Sequence, residues 1–225
     1  MIIVTGGNSG IGEEITKNLR LSGERVITIS RSKIKNDNDH FSCDITNYES
    51  LKNVYNKLNA KKEPIYALIN CAGVASMNLA MTTPAEITEK IIKINLIGTI
   101  YTNQVFAPLL IRNKVGRIIN FSTIAVSIGL KGESIYAASK AGVETFTRVF
   151  ARELSNFKIT VNCIAPGPIQ TNLLRGISQK QINEITRYQI INKEMKTFDT
   201  YKIVNLLLSQ DSENLTGQVL HVGGV

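Results

Sequence analysis

The stretch "TGGNSGIG", Thr5 to Gly12, decides the fold of this 225-residue chain. It follows the apolar run "MIIV" and opens the helical pattern "GIGEEITKNLRLSG". Glycines in such a loop let the backbone turn tightly and approach a pyrophosphate without a Cβ in the way, while the helix N-terminus supplies free N–H donors. The alternative is that the glycines only build a turn. We expect a dinucleotide phosphate site formed by Gly6, Asn8, Ser9, Gly10, Ile11 and Gly12.

The rest of the chain alternates short apolar, β-branched runs with longer helical patterns. This alternation indicates βαβ crossovers and a parallel sheet covered on both faces. The predicted fold class is α/β, a single Rossmann-type, doubly wound parallel sheet of about seven strands with helices on both faces. We expect one domain over residues 1–225, with a substrate flap at about 171–196 that follows "PGPIQT".

Composition limits the partners and the compartment. The net charge is +8, but Lys and Arg are scattered singly between acidic residues, so no nucleic-acid partner is expected, although a charge-driven one is the alternative. The three cysteines have no paired or metal-type spacing, so we expect no metal site and a cytoplasmic location. The two histidines are interpreted as structural. No run approaches the roughly 20 apolar residues of a membrane span, so no membrane partner is expected.

The second predicted strand ends in "ITISRS" and carries no acidic residue there. An acid at this place usually binds a ribose 2′-hydroxyl, whereas a 2′-phosphate requires a cation. Arg31, with Ser32 beside it, therefore favours NADP(H) as the cofactor, with NAD(H) as the alternative. The competing interpretation of Arg31 is a solvated side chain at a strand end.

The stretch "YAASK" places Tyr136 and Lys140 four residues apart. On a helix such residues share one face, with roughly 5–6 Å between their Cβ atoms. Hydride addition to a carbonyl leaves an alkoxide that needs a proton donor. Bringing a tyrosine pKa from about 10 to about 7 takes roughly 4 kcal/mol, much of which a lysine in a dry site can supply. The alternative is an exposed helix face.

Five motifs then appear in one order: "TGGNSGIG", "NCAG", "INLIGT", "YAASK" and "PGPIQT". In this the chain resembles the short-chain dehydrogenase/reductase family, and most of all members that resemble 3-oxoacyl-(acyl-carrier-protein) reductases. The resemblance implies one Rossmann domain, a nicotinamide cofactor, a small-molecule carbonyl or alcohol substrate, and a homodimer or homotetramer.

The resemblance also implies residue roles. Lys140 would hold the nicotinamide ribose, and Asn95 a water that relays protons to Lys140. The family's substrate-orienting serine lies thirteen residues before the tyrosine, which here is Thr123, with Ser122 as the next candidate. Tyr136 and Lys140 count both as catalytic and as cofactor-binding residues. The other expected cofactor contacts are Asp44, Ile45, Asn70, Ala72, Gly73, Pro166, Gly167, Ile169 and Thr171.

The leading function is an NADPH-dependent oxidoreductase that reduces a carbonyl to an alcohol, or the reverse, on a largely apolar small molecule or acyl substrate. The expected pocket side chains are Ile124, Val126, Ile128, Ile169, Leu173 and Leu174. An acyl-carrier protein is one substrate option, with Arg112, Lys114 and Arg117 as a docking rim. The alternative from another class is a non-catalytic NAD(P)-binding sensor or scaffold of the same fold, suggested by Thr123 and by the short polar stretch after Arg31.

Overall fold

The computed structural model describes residues 1–171 and 178–225. Its strands are β1 (Ile2–Thr5), β2 (Val26–Ser30), β3 (His40–Ser42), β4 (Ala67–Asn70), β5 (Gly116–Phe121), β6 (Ile159–Pro166) and β7 (Val219–Val222). They form one seven-stranded sheet in the order β3-β2-β1-β4-β5-β6-β7, in which every neighbouring pair is parallel. The predicted doubly wound α/β fold is confirmed.

The α-helices of the described residues connect these strands. They are α1 (Gly10–Leu21), α2 (Tyr48–Ala60), α3 (Ala85–Ile92), α4 (Gly98–Arg112), α5 (Ile124–Ile128), α6 (Ser134–Glu153), α7 (Gln179–Thr186) and α8 (Thr197–Leu208).

Helices cover both faces of the sheet. Ile3 of β1 packs with side chains of α2, α4 and α6, whereas Ile2 and Val4 pack with side chains of α1 and α8. Successive side chains of a strand point to opposite faces. A strand that is buried on both faces therefore reads as a continuous apolar run, which is why "IIV" stands at the centre of the sheet.

The order of the strands creates a crevice beside β1. The chain runs outward from β1 to β3 and then returns to place β4 on the other side of β1. Because all strands are parallel, their carboxyl ends meet at one edge, and ligands of such sheets bind where the order reverses. The glycine loop after β1 and the loops after β4, β5 and β6 all leave from this edge.

The connection from β2 to β3 is short. Residues 31–39 link the two strands without a helix, as the polar sequence there predicted. Arg20 of α1 forms a salt bridge of 3.1 Å to Asp37, which ties this loop to the first helix.

One long helix runs from Ala85 to Arg112 and contains a π-helical turn at Lys93–Ile97. Contrary to the sequence-based expectation, these 28 residues are long and apolar enough to cross a membrane, with a mean hydropathy of 1.3 in their most apolar window. More than half of that window (56%) is buried inside the protein. Phe106, Leu109 and Leu110 belong to the core beneath the sheet, so we describe this segment as a core helix.

The predicted substrate flap coincides only in part with described structure. Residues 172–177 lie outside the described residues. In the remainder of 171–196, α7 begins at Ser178, whose hydroxyl and the side chain of Gln181 form a reciprocal capping box. The flap and the single-domain organisation stay predictions.

Candidate active site

Two adjoining cavities open at the carboxyl edge of the sheet. The nucleotide-side cavity, of about 360 Å³, lies against the Gly6–Gly12 loop and the ends of β2 and β3. The tyrosine-side cavity, of about 330 Å³, lies against the ends of β5 and β6 and the start of α6. Both cavities are bounded by Ile11, Cys71, Gly73, Val74 and Thr171. A ligand long enough to cross this shared wall would reach from one cavity into the other.

The glycine loop is packed too tightly for side chains. Gly6 has a φ of +67°, and a Cβ there would lie 2.9 Å from the Cα of Ala72; at Gly12 a Cβ would lie 2.3 Å from the Gly6 carbonyl oxygen. The N-cap Ser9 places no side-chain hydrogen bond on the first turn of α1. The first amides of a helix lack intrahelical acceptors. Their donors therefore stay available at the cavity wall, which fits a pyrophosphate.

The end of β2 carries the cation that the sequence singled out. Arg31 and Ser32 line the nucleotide-side cavity, and the Asn8 side chain donates to the Ser30 hydroxyl at 2.6 Å. The acids of the following loop point elsewhere, since Asp39 forms a salt bridge with Arg25 at 2.8 Å and Asp37 pairs with Arg20. This donor set suits a 2′-phosphate better than a bare ribose.

Asp44 and Ile45 line the same cavity after β3. Asp44 Oδ1 accepts hydrogen bonds from the Thr46 amide and hydroxyl, both at 2.8 Å. Asp44 thus caps its turn, and its predicted contact with the cofactor stays a prediction.

His40 has a role that sequence reasoning did not assign in detail. Its Nδ1 lies 2.9 Å from the Thr28 hydroxyl and its Nε2 lies 2.7 Å from the Ser32 carbonyl oxygen. The Ser42 hydroxyl donates to the Arg31 carbonyl at 3.2 Å. These contacts hold the backbone of Arg31 and Ser32 against β3, although no helix lies between β2 and β3.

Tyr136 and Lys140 lie on the first turns of α6 and line the tyrosine-side cavity together. Their exposed fractions are 7% and 5%. The Lys140 ammonium donates to the Phe121 carbonyl oxygen at 2.9 Å, at the end of β5. The alternative of an exposed helix face is therefore wrong, because both side chains are buried at the cavity.

Burial dominates the electrostatics of this pair. It lowers the pKa of Lys140 to about 8. The pKa of Tyr136 is raised above its ordinary value by burial first and by the charge of Glu133 second, while the Thr123 hydroxyl acts in the opposite direction. Burial is thus the largest influence on the Tyr136 pKa in the chain alone, and the predicted lowering of this pKa by Lys140 stays a prediction. The phenol is thus held in its protonated form, ready to donate.

Ser122 and Thr123, which follow β5, differ in the hydrogen bonds of their hydroxyl groups. The Ser122 hydroxyl donates to Glu144 Oε1 at 2.6 Å and is occupied inside the fold. The Thr123 hydroxyl accepts from the Ala125 amide at 3.2 Å as the cap of α5. Thr123 lines the cavity and keeps its own proton free to donate. The geometry favours Thr123 over Ser122 as the substrate-orienting hydroxyl.

Asn95 sits in the π-helical turn and is fully buried. Its Oδ1 accepts from the Val74 amide at 2.8 Å, and its Nδ2 donates to the Val74 carbonyl at 2.8 Å and to the Ser139 hydroxyl at 3.1 Å. Such turns are frequent at functional sites. Asn95 anchors the Val74 segment between the two cavities, and its predicted water relay stays a prediction.

Asn70 does not line either cavity. Its Nδ2 donates to Asn120 Oδ1 at 2.9 Å, and its Oδ1 accepts from the Thr102 hydroxyl at 2.8 Å. The Asn70 side chain thus belongs to a buried polar network beneath the loop, and the predicted contact of Asn70 with the cofactor stays a prediction. Ala72 and Gly73, which follow it, do line the nucleotide-side cavity.

The end of β6 supplies the far wall. Pro166, Gly167 and Ile169 line the tyrosine-side cavity, whereas Thr171 lines both cavities. A Cβ on Gly10 would come within 3.3 Å of the Thr171 side chain. The residues after β6 therefore reach the glycine loop, and their predicted contacts with the cofactor stay predictions.

The predicted apolar pocket is correct only in part. Ile124 and Ile169 line the tyrosine-side cavity, but Val126 and Ile128 do not, because α5 turns them away from it. Leu173 and Leu174 lie outside the described residues. Side chains that the sequence analysis missed include Met77, Leu130 and Glu133. Glu133 stands three residues before Tyr136, and this spacing is the signal that could have identified it.

The predicted docking rim at residues 112–117 is wrong. Arg117 is only 8% exposed and donates to the Gly116 and Ser209 carbonyl oxygens. It lies at the amino end of β5, roughly 15 Å of strand away from the cavity edge. Within residues 1–171 and 178–225, no group of three or more His, Cys, Asp or Glu residues is arranged to hold a metal ion.

The comparisons with known proteins agree with this geometry. The model of the family described as short chain dehydrogenase matches residues 1–182. The chain belongs to the short-chain dehydrogenase family. This short-chain dehydrogenase is therefore an oxidoreductase of a class that acts on CH–OH and C=O groups, and the resemblance seen in the motifs is confirmed.

Relatives are similar along the whole length. The 3-oxoacyl-[acyl-carrier-protein] reductase MabA of Mycobacterium bovis is 30% identical over 224 residues, which cover 99% of this chain and 91% of the relative. The 3-oxoacyl-[acyl-carrier-protein] reductase FabG of Buchnera aphidicola is 31% identical, covering 99% and 95%.

Solved structures have the same architecture. The aldohexose dehydrogenase of Thermoplasma acidophilum (AldT) matches with a TM-score of 0.90 and 28% identity over 99% of this chain and 92% of that one. ElxO with NADP bound matches with a TM-score of 0.88 and 25% identity over 98% and 96%.

Proposed function

We propose that this short-chain dehydrogenase is an NADPH-dependent reductase that converts a carbonyl to an alcohol, or performs the reverse reaction, on a small and largely apolar substrate. The observation that carries the proposal is the buried Tyr136 phenol, which lines the tyrosine-side cavity beside Thr123 and Lys140.

The residues of the nucleotide-side cavity fit NADP(H). The open first turn of α1 would hold the pyrophosphate, Arg31 and Ser32 the 2′-phosphate, and Thr171 the nicotinamide amide. When bound, the reduced cofactor would supply a hydride to the carbonyl carbon. ElxO, a neighbour in fold, carries NADP, which supports NADP(H) over NAD(H) here.

The remaining steps belong to the chain. Thr123 would donate a hydrogen bond to the carbonyl oxygen and hold it near the phenol. Tyr136 would then give its proton to the oxygen as negative charge develops there. A raised pKa keeps the Tyr136 phenol protonated. Proton transfer to the substrate oxygen is favourable because an alkoxide is far more basic than a phenolate. Lys140 would hold the ribose and favour the phenolate that is left behind.

The test is oxidation of NADPH with a panel of ketones and diketones. Tyr136→Phe is expected to lower kcat by about 10²-fold or more, the usual contribution of a positioned proton donor, while NADPH affinity changes little. NADPH binding measured by fluorescence separates the two effects. A Tyr136→Phe variant that turns over every ketone at the original rate would refute the proposal.

The second candidate is a non-catalytic NAD(P)-binding sensor or scaffold. It predicts binding of NADPH, no turnover of any carbonyl compound, and no consequence of Tyr136→Phe. The buried Tyr136–Lys140 pair argues against it, because burying a lysine is costly when no chemistry requires it.

An acyl chain on a carrier protein is a less favoured substrate, because the basic rim that would dock it is not formed at the cavity mouth. We further propose a cytoplasmic homodimer or homotetramer of single-domain chains. This rests on the family resemblance and on the reducing environment that three free cysteines suit. Sedimentation velocity tests the oligomeric state.

A further inference from the structure

Glu133 is a buried acid that the proposed reaction does not use. It lies directly before α6, is 8% exposed, and lines the tyrosine-side cavity. Its carboxylate accepts no hydrogen bond from any other residue in the described part of the chain. Only its backbone is engaged, with its amide donating to Leu130 and its carbonyl accepting from Ala137.

The Glu133 carboxylate opens on the cavity, where its hydrogen-bond partner is either water or a ligand, because its oxygens are not among the fully buried side-chain atoms that lack a partner. A buried polar group without a hydrogen bond destabilises a protein, and a buried charge does so more strongly. Burial raises the pKa of Glu133 to about 7, and no hydrogen-bond donor among residues 1–171 and 178–225 offsets this. A second buried glutamate, Glu144 of α6, accepts a hydrogen bond from the Ser122 hydroxyl at 2.6 Å. The contrast indicates that Glu133 faces a partner that comes from outside the chain.

The position of Glu133 fixes where that partner would be. Residues three apart on a helix are neighbours, with roughly 5–6 Å between their Cβ atoms, so Glu133 lies beside Tyr136. Glu133 and Tyr136 line the same cavity, and the charge of Glu133 helps to raise the pKa of the Tyr136 phenol. Among the described residues Glu133 is the only carboxylate lining this cavity. A substrate whose carbonyl is held at Tyr136 would therefore present a second group to Glu133.

We propose that Glu133 determines substrate specificity by accepting a hydrogen bond from a donor group, a hydroxyl or an ammonium, on the carbonyl compound reduced at Tyr136. This rests on the proposed function and narrows it, because a plain acyl or alkyl ketone leaves the carboxylate unpaired. A site built to bind a polar group rejects the analogue that lacks it, since the buried partner is then left alone. The cavity of about 330 Å³ accommodates a substituted ring ketone.

Three ketones of one ring size test this inference: 4-methylcyclohexanone, 4-hydroxycyclohexanone and 1-methyl-4-piperidone in its protonated form. We expect the wild-type chain to prefer one of the two donor ketones over 4-methylcyclohexanone by at least about 10-fold in kcat/KM. The preferred donor ketone shows whether the donor is neutral or cationic. Glu133→Gln is expected to reduce this preference by about 10-fold, mainly through KM, and to retain turnover of 4-methylcyclohexanone.

Glu144→Gln is the matched control, because it changes a buried glutamate of the adjoining helix α6 that does not line the cavity. It is expected to leave the preference unchanged. The same ketones are also titrated calorimetrically into Tyr136→Phe with NADPH, with and without Glu133→Gln. This readout needs no turnover, so a failure of the proposed reaction is distinguished from a failure of this inference. Equal affinity for the three ketones, or a preference that survives Glu133→Gln, would overturn it.

Discussion

At the scale of single residues, chemistry at the cavity depends on which hydroxyl after β5 is free to donate. The Ser122 hydroxyl is bound to Glu144, whereas the Thr123 hydroxyl accepts from the Ala125 amide and keeps its proton available. Both residues line the tyrosine-side cavity, but the Ser122 proton is already donated to Glu144, so the Thr123 hydroxyl is the one left to bind a substrate. The extra methyl group of threonine restricts χ1 and narrows the site.

Thr123→Ala is expected to lower kcat/KM by about 10²-fold, because a donor to the developing oxyanion is lost. Thr123→Ser should retain most of the activity and accept bulkier ketones. Ser122→Ala should mainly reduce stability, since Glu144 then loses its buried donor. Steady-state kinetics and thermal unfolding of the three variants decide the assignment. Thr123 has no substrate role if Thr123→Ala reduces all accepted ketones as well as the parent does.

Arg31 is expected to decide the choice between the two nicotinamide cofactors. Arg31→Ala should weaken NADPH binding by about 10- to 100-fold, the loss of one charge-assisted hydrogen bond, and leave NADH binding nearly unchanged. Lys33→Ala is the control, because Lys33 is exposed and does not line the cavity. Titration of both cofactors measures the ratio, and an unaltered ratio in Arg31→Ala would show that the 2′-phosphate binds elsewhere.

At the scale of elements, two helices bring the catalytic groups to one edge of the sheet. The start of α1 closes the glycine loop against the loop after β4, and the start of α6 places Tyr136 and Lys140 against the end of β5. Between them, the π-helical turn at Lys93–Ile97 directs Asn95 into the backbone of Val74. The wall between the two cavities is therefore fixed by a local irregularity of one helix.

Gly12→Ala tests the packing of the phosphate loop. Its Cβ would lie 2.3 Å from the Gly6 carbonyl oxygen, so the loop must shift. We expect a loss of roughly 1–3 kcal/mol in the free energy of unfolding and at least a 10-fold loss of NADPH affinity. Gly23→Ala is the control, since Gly23 has a φ of +86° but open space around it. It should cost stability through backbone strain alone, and an equal loss of NADPH affinity in both variants would argue against a specific role of the loop.

At the scale of the whole molecule, folding is linked to pH through the buried acid of the cavity. Burial raises the pKa of Glu133 from 4.5 to about 7, so the folded chain keeps a proton that the unfolded chain releases between these values. The contribution of Glu133 to stability is therefore present below about pH 4.5 and is lost as the pH rises to about 7. Between these pH values, the folded state disfavours ionisation of the Glu133 carboxyl group, and the free energy of unfolding falls as the pH rises.

We expect the wild-type free energy of unfolding to fall by up to roughly 3 kcal/mol more than that of Glu133→Gln between pH 5 and pH 7.5. Urea denaturation of the two chains at both pH values measures the difference. Groups other than Glu133 are common to both chains and cancel in the comparison. Parallel pH profiles would mean that Glu133 is solvated in the folded chain.

Much of the fold followed from periodicity and from the glycine loop. The long helix at Ala85–Arg112 agrees with the alternation of short apolar runs and longer helical patterns, but its π-helical turn has no signature in the pattern of apolar residues. The predictions that proved wrong concern where a side chain points and how deeply it is buried. Arg117 is buried at the opposite end of its strand, and Val126 does not line the cavity.

The sequence by itself determined the parallel sheet, the phosphate loop and the family, because these depend on local spacing: glycines where a Cβ would collide, apolar runs where both faces are buried, and a tyrosine one turn before a lysine. Only the tertiary structure decided which polar groups are satisfied inside the fold. The Ser122 side chain forms a hydrogen bond with Glu144 and the Asn70 side chain with Asn120. The Glu133 carboxylate has no hydrogen-bond partner in the described part of the chain. Hydrogen bonds between segments distant in sequence depend on how the strands and helices are brought together, and spacing along the chain does not carry that information.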